Sequence, residues 1–155
     1  MYVVVVTLFV VGVLMVVLER LPKASKVRSM EELPKRRAFV VGLAQMAALI
    51  PGVSRSGSTI IAGRLAGLSA AEAAEYSFLA SLPIMMGVTL KVFVSDHAYL
   101  SDHLGMLIVG NIVAFASGLL AVGFLMKYLS RHGLAVFGWY RIALAFVLGL
   151  ILLLQ

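Results

Sequence analysis

AFVVGLAQMAALI, PGVSRSGST and IIAGRLAGL follow one another as residues 38–50, 51–59 and 60–68 of a 155-residue chain. Both outer segments are apolar. Neither can cross a hydrocarbon core of roughly 30 Å, which takes about 20 helical residues at about 1.5 Å each. Between them stand Pro51-Gly52, an arginine (Arg55) and the hydroxyl residues Ser54, Ser56, Ser58 and Thr59. The pattern predicts a helical hairpin over residues 38–68 that enters a membrane and turns back. Non-helical backbone at membrane depth survives only when buried in protein or lining a wet cavity. The turn is therefore expected to face a cavity.

Outward from this hairpin, four charge-poor runs are long enough to span: residues 1–18, 72–95, 104–126 and 134–154. The second opens on Glu72 and Glu75 and is then interrupted only by Lys91, and the last only by Arg141. Composition agrees, with 62% hydrophobic and 13% charged residues where a soluble domain carries about half and a quarter. A soluble globule, a disordered tail and a fibrous protein are all excluded. The net charge of +6 does not point to nucleic acid, because most of the basic residues gather in one stretch, 19–37, instead of spreading over a face. The chain has no cysteine, hence no disulfide framework and no thiolate metal site. Residues 1–18 lack the basic start and small-residue cleavage site of a signal peptide. The reading is a single all-α membrane domain over 1–155, with four transmembrane helices plus one re-entrant hairpin.

Charge sets the orientation. Arg20, Lys23, Lys26, Arg28, Lys35, Arg36 and Arg37 crowd the loop 19–37, and Lys127 and Arg131 follow the third full span. Residues 96–103 hold no lysine or arginine. Basic residues stay on the cytoplasmic side, so 19–37 and 127–133 are expected there and both termini on the opposite side. A fifth crossing at 38–68 would put Lys127 and Arg131 outside, so charge bias and segment length support the hairpin separately. The basic loop would also meet anionic lipid headgroups. Gly63 and Gly67, and Ser77 and Ser81, have the spacing that lets membrane helices pack closely.

The chemistry concentrates at Pro51 to Thr59. Arg55 is a permanent cation with a planar fork of donors matching phosphate oxygens. Hydroxyls of Ser54, Ser56, Ser58 and Thr59 add donors, and Gly52 and Gly57 let the backbone turn and approach a ligand. A helix restarting near Ser58 would aim free amides and its positive end at the same point. A serine- and glycine-rich turn accounts for every residue except the arginine, because intramembrane charge is costly and functional by default. The stretch reads as a phosphate or pyrophosphate cradle.

No carboxylate lies in the turn. Glu72 and Glu75 share one helix face and suit a first helical turn. His97, His103, Asp96 and Asp102 sit in the expected external loop without a specific metal-ligand spacing, and His132 sits in a short cytoplasmic turn. Arg141 follows Trp139-Tyr140 and reads in two ways: snorkelling to the interface, or a second cation facing the cavity.

Residues 51–59 match P-G-x-S-R-S-x-x-T, the signature of the undecaprenyl-diphosphate phosphatases, the bacitracin-resistance family. Ala44-Gln45, Ala48-Leu49-Ile50, Tyr76-Ser77-Phe78-Leu79, Phe137 and Tyr140-Arg141 resemble that family too. The resemblance covers essentially the whole chain. It implies a multi-pass enzyme of the bacterial plasma (inner) membrane that removes the terminal phosphate of undecaprenyl diphosphate and so recycles a lipid carrier for cell-wall synthesis. It implies an inverted-repeat fold and a divalent cation, Mg or Ca. By motif position, Ser54, Arg55 and Thr59 are expected to be catalytic. Ser56, Gly57, Ser58 and Arg141 are expected to bind the diphosphate. The family's glutamate-rich E/Q-x-x-x-E motif has no counterpart here, and Glu72 and Glu75 have the wrong spacing and position. The chain therefore resembles one half of the fold, the second repeat, whose metal ligands come from a first repeat or a second chain. The other class open to such residues is a transporter-like or lipid-flipping subunit with an anion site.

Overall fold

The computed structural model describes residues 1–20 and 30–154, with backbone alone at 97–99. Lys23, Lys26 and Arg28 of the basic loop, and the side chain of His97, lie outside the described residues. Seven α-helices follow one another there: α1 (Tyr2–Arg20), α2 (Lys35–Leu43), α3 (Arg55–Leu65), α4 (Ala70–Ser95), α5 (His97–Asp102), α6 (Leu104–His132) and α7 (Ala135–Leu153). Short 3-10 turns cover Met30–Glu32 and Ala44–Leu49. No strand occurs among the described residues. Four helices, α1, α4, α6 and α7, are long and apolar enough to cross a membrane.

Local chemistry explains where these helices begin and end. Ser69 and Glu72 form a capping box at the start of α4: the Glu72 N–H donates to Ser69 Oγ at 3.2 Å and the Ser69 N–H to Glu72 Oε2 at 3.0 Å. Helix α6 runs on to His132, beyond the end of its apolar run, so Lys127, Arg131 and His132 belong to its last turns and not to a loop. Basic side chains there offset the negative end of the helix. Gly133, at φ 70°, then stops it.

Two antiparallel pairs set the architecture. Helix α1 runs against α7. At their crossing Gly12 and Gly138 bring backbone against backbone, since a Cβ at Gly12 would stand 2.9 Å from the Gly138 carbonyl oxygen. Phe9 meets Phe146 edge-on at 6.1 Å, and Glu19 Oε2 accepts the Leu134 N–H at 2.9 Å. Helix α3 runs against the first half of α4, with Gly63 beside Ala73. The two pairs join where α1 meets α3. There Thr7 Oγ1 donates to the Pro51 carbonyl at 2.9 Å, and Met15 reaches Gly57.

Residues 38–68 fold back on themselves. The 3-10 turn packs along α3. Arg37 Nη1 donates to the Ala66 carbonyl at 3.0 Å, which closes the base. Tyr76 Oη donates to the Ala38 carbonyl at 3.0 Å, which ties that base to α4. At the tip, Gly52 has φ 89° and lies against Val4 and Thr7 of α1, where no Cβ has room. The tip thus sits toward the N-terminal end of α1.

The core lies at the hairpin's base, where Leu33, Ile60, Leu68, Ala70, Ala73, Ala74, Leu129 and Leu134 are buried together. Away from it burial stops. Helix α6 buries only Leu129, and residues 82–95 of α4 are exposed throughout.

Candidate anion site

Helix α3 begins at Arg55, three residues before the sequence-based expectation, because Ser54 supplies the cap. Its Oγ accepts the Gly57 N–H at 3.1 Å, which satisfies one of the free amides of a helix start. The N–H groups of Arg55 and Ser56 remain without an intrahelical acceptor, as the first groups of any helix do. They leave the tip together with the positive end of the helix dipole.

Each of the motif's hydroxyls has a partner within the fold. Ser58 Oγ donates to the Ser54 carbonyl at 2.9 Å. Ser54 Oγ and Ser56 Oγ lie 3.2 Å apart. Thr59 is 1% exposed. Its hydroxyl lies 3.1 Å from the Arg55 and Ser56 carbonyls and 2.6 Å from Ser77 Oγ on α4. Early serines and threonines of a helix commonly bond backwards in this way. Gly57 is buried under Met15, and a Cβ there would press on Ser54.

The arginines are the groups left over. Arg55 Nη1 and Arg141 Nη1 are both buried without a hydrogen-bond partner. Helix α1 relates them. Met15 touches Gly57, two residues beyond Arg55, and also Gly138 on α7, while the Arg141 Cβ stands against Gly12. Helix α1 thus packs beside the segments that carry both arginines, Met15 against Gly57 and Gly12 against the Arg141 Cβ. A buried, unpaired charged donor is costly, and an anion would satisfy such a donor. The Arg141 Cβ sits against Gly12 of α1 within the α1–α7 pair. Arg64 Nε is also buried without a partner, but Arg64 Nη1 donates to the Leu68 carbonyl at 3.1 Å, which ties this side chain to the far end of α3.

The groups at this tip do not fit a divalent cation. They are guanidinium, amide and hydroxyl donors, and the nearby carboxylates are otherwise placed. Glu72 is held in its capping box, and Glu75 is exposed. Among the described residues, no three His, Asp or Glu side chains gather to hold a metal. Ser77 is the contact that sequence reasoning missed. Its spacing from Ser81 read as helix packing, and only the approach of α4 to α3 gives it Thr59 as a partner.

Residues 1–147 match the family model of the bacitracin resistance protein BacA. The chain belongs to the BacA family. This BacA-family chain is 44% identical over 144 residues to an undecaprenyl-diphosphatase of Nitrosomonas eutropha, covering 92% of this chain and 51% of that protein. It is 42% identical over 142 residues to an undecaprenyl-diphosphatase of Parvibaculum lavamentivorans, covering 91% and 53%. To undecaprenyl-diphosphatase 2 of Paramagnetospirillum magneticum it is 37% identical over 151 residues, covering 97% and 58%. The BacA-family chain thus spans about half the length of these relatives.

Proposed function

We propose that this chain forms one half of a membrane enzyme that dephosphorylates undecaprenyl diphosphate to undecaprenyl phosphate in the bacterial plasma membrane. The observation that carries this reading is that Arg55, in the opening turn of α3, and Arg141, on α7, each hold a buried guanidinium nitrogen without a partner. Arg55 takes two diphosphate oxygens through its planar fork. The N-terminal end of α3 offsets the charge that grows as the terminal P–O bond breaks. Ser54 and Ser56 border this end of α3, while Gly57 lets α1 approach it. Arg141 holds the second phosphate from α7. Ser58 stays bonded to the backbone and supports the turn.

In this reading residues 38–68 re-enter the membrane from the cytoplasmic side, and both termini lie on the opposite side. The tip's contact with Thr7 and the base's contact through Arg37 support that path. The Mg or Ca ion implied by the family resemblance takes its ligands from another repeat or a second chain, which also covers the exposed faces of α4 and α6. The inverted repeat is completed there.

Phosphate release tests the reading. Purified in detergent, the chain alone is expected to release none from a prenyl diphosphate above background. Co-reconstitution with a first repeat of the family is expected to restore release. Movement of labelled lipid between leaflets without phosphate release would sustain the transporter-like alternative instead. Topology is tested on the cysteine-free background: single cysteines at Glu31 and Ser130 are expected to label from the cytoplasm and one at Ser101 from outside. Labelling of positions 31 and 130 from opposite sides would overturn the re-entrant path.

A further inference from the structure

We propose that Ser77 is a positioning residue of the anion site, acting through Thr59. The proposal rests on the diphosphate reading of the arginine pair and names a residue that reading does not use. It also moves Thr59 from phosphate ligand to part of the frame.

Thr59 Oγ1 and Ser77 Oγ lie 2.6 Å apart, hydroxyl to hydroxyl. Thr59 is 1% exposed and Ser77 5%, so no ligand reaches either group without a rearrangement of α3 against α4. The same Thr59 oxygen lies 3.1 Å from the carbonyls of Arg55 and Ser56. Those carbonyls belong to the peptide units that open α3, and Arg55 departs from the first of them. The pair therefore ties α4 to the turn that carries the cation.

On the α1 side this turn is held by Thr7 on the Pro51 carbonyl and by Met15 on Gly57; its other side-chain hydrogen bonds are local. The Ser54 cap and the Ser58 back-bond both stay inside residues 54–58. Thr59–Ser77 is a side-chain hydrogen bond that joins α3 directly to α4. Apolar packing on that side, Gly63 on Ala73, lies one helical turn further from Arg55. Without the hydroxyl pair, α3 would keep its helix, its base and its contact with α1 but lose its hydrogen-bonded tie to α4. The guanidinium would then sample more orientations, and the diphosphate would have to order it on binding, which costs affinity and rate.

The test compares Ser77→Ala, Thr59→Val, both together, and the exchange Thr59→Ser with Ser77→Thr. Each is made in the assembly that releases phosphate from a prenyl diphosphate. Two quantities are read: kcat and KM for that release, and affinity for inorganic pyrophosphate by calorimetry. Either single loss is expected to lower kcat/KM about fivefold to tenfold, the worth of one well-placed hydrogen bond. The double variant should be no worse than either single one, since both remove the same tie. The exchange, which keeps two hydroxyls, should recover most of the rate. Ser81→Ala is the control. That hydroxyl bonds its own helix at the Phe78 carbonyl, so its removal should leave kcat/KM unchanged.

If Thr59 instead donates directly to phosphate, Ser77→Ala frees it and leaves kcat/KM at or above wild type, while Thr59→Val alone loses rate. That result overturns the proposal. Losses that multiply in the double variant also overturn it. Should the intact assembly bind pyrophosphate but release no phosphate, the hydrolase reading falls, and the same pattern in affinity still decides the role of Ser77. An assembly that neither binds nor hydrolyses removes both.

Discussion

Helices α1 and α6 carry nearly the same message in sequence, long apolar runs with scattered glycines, yet the fold treats them oppositely. Helix α1 buries Val11, Gly12, Met15 and Leu18. It touches α3 through Met15 and α7 through Gly12. Helix α6 buries Leu129 near its C-terminal end and nothing else, and Gly105, Gly110, Gly118 and Gly123 have open space where a side chain would stand. Hydropathy reports that a segment prefers lipid to water; it says nothing about which helix it will meet. In a bilayer, close approach is chosen by shape and by polar contacts, because lipid tails are as apolar as leucine. The glycine at position 12 is a contact and those on α6 are an invitation, and residue type alone does not separate them.

This contrast predicts an intolerant half and a tolerant half. The largest effect belongs to Arg55. In the assembled enzyme, Arg55→Lys and Arg55→Ala should both fall to about a hundredth of wild-type turnover or less, since lysine keeps the charge but not the planar fork. Lys91→Ala, on the exposed part of α4, should leave phosphate release within about twofold of wild type. Near-normal turnover by Arg55→Lys would break the clamp reading.

Packing comes next. Leucine at Gly12 or Gly138 would drive a side chain into opposing backbone and should cost about 1–3 kcal/mol or more, read as a lowered unfolding temperature in detergent. Gly118→Leu should shift the same transition by no more than about 0.5 kcal/mol in the isolated chain. A loss at Gly118 that appears only after a first repeat is added would sharpen the comparison, marking α6 as the face that the partner covers.

A smaller loss than at Gly12 or Gly138 is expected at the capping box. Glu72→Ala should cost about 1 kcal/mol of stability through the start of α4 and leave kcat unchanged. A loss of turnover as large as that of Arg55→Ala would instead make Glu72 a working carboxylate. That would contradict its place beside Ser69.

Much of this was legible from residues alone. Four apolar runs gave the four long helices, because burial of apolar length is a property of the segment itself. The Pro-Gly pair and the short flanks gave the break at 51–52 for the same reason. Arg55 stood out because a charge among apolar segments needs a partner wherever the chain goes. The start of α3 at Arg55 was also within reach, since Ser54 has the side chain and position of an N-cap. The fate of the hydroxyls was not. Whether Thr59 faces a ligand or a neighbouring helix depends on how α4 is rotated and how far it has slid along α3. Those are relations between segments that no single segment encodes. Arg141 is the same case: its seat against Gly12 comes from the α1–α7 crossing, where two glycines far apart in sequence let backbones meet. Composition and spacing thus fixed which groups could hold a diphosphate. Only the packing of helices selected the two arginines left without partners, because a hydrogen bond is satisfied by whatever stands within about 3 Å, and that is a fact of tertiary structure.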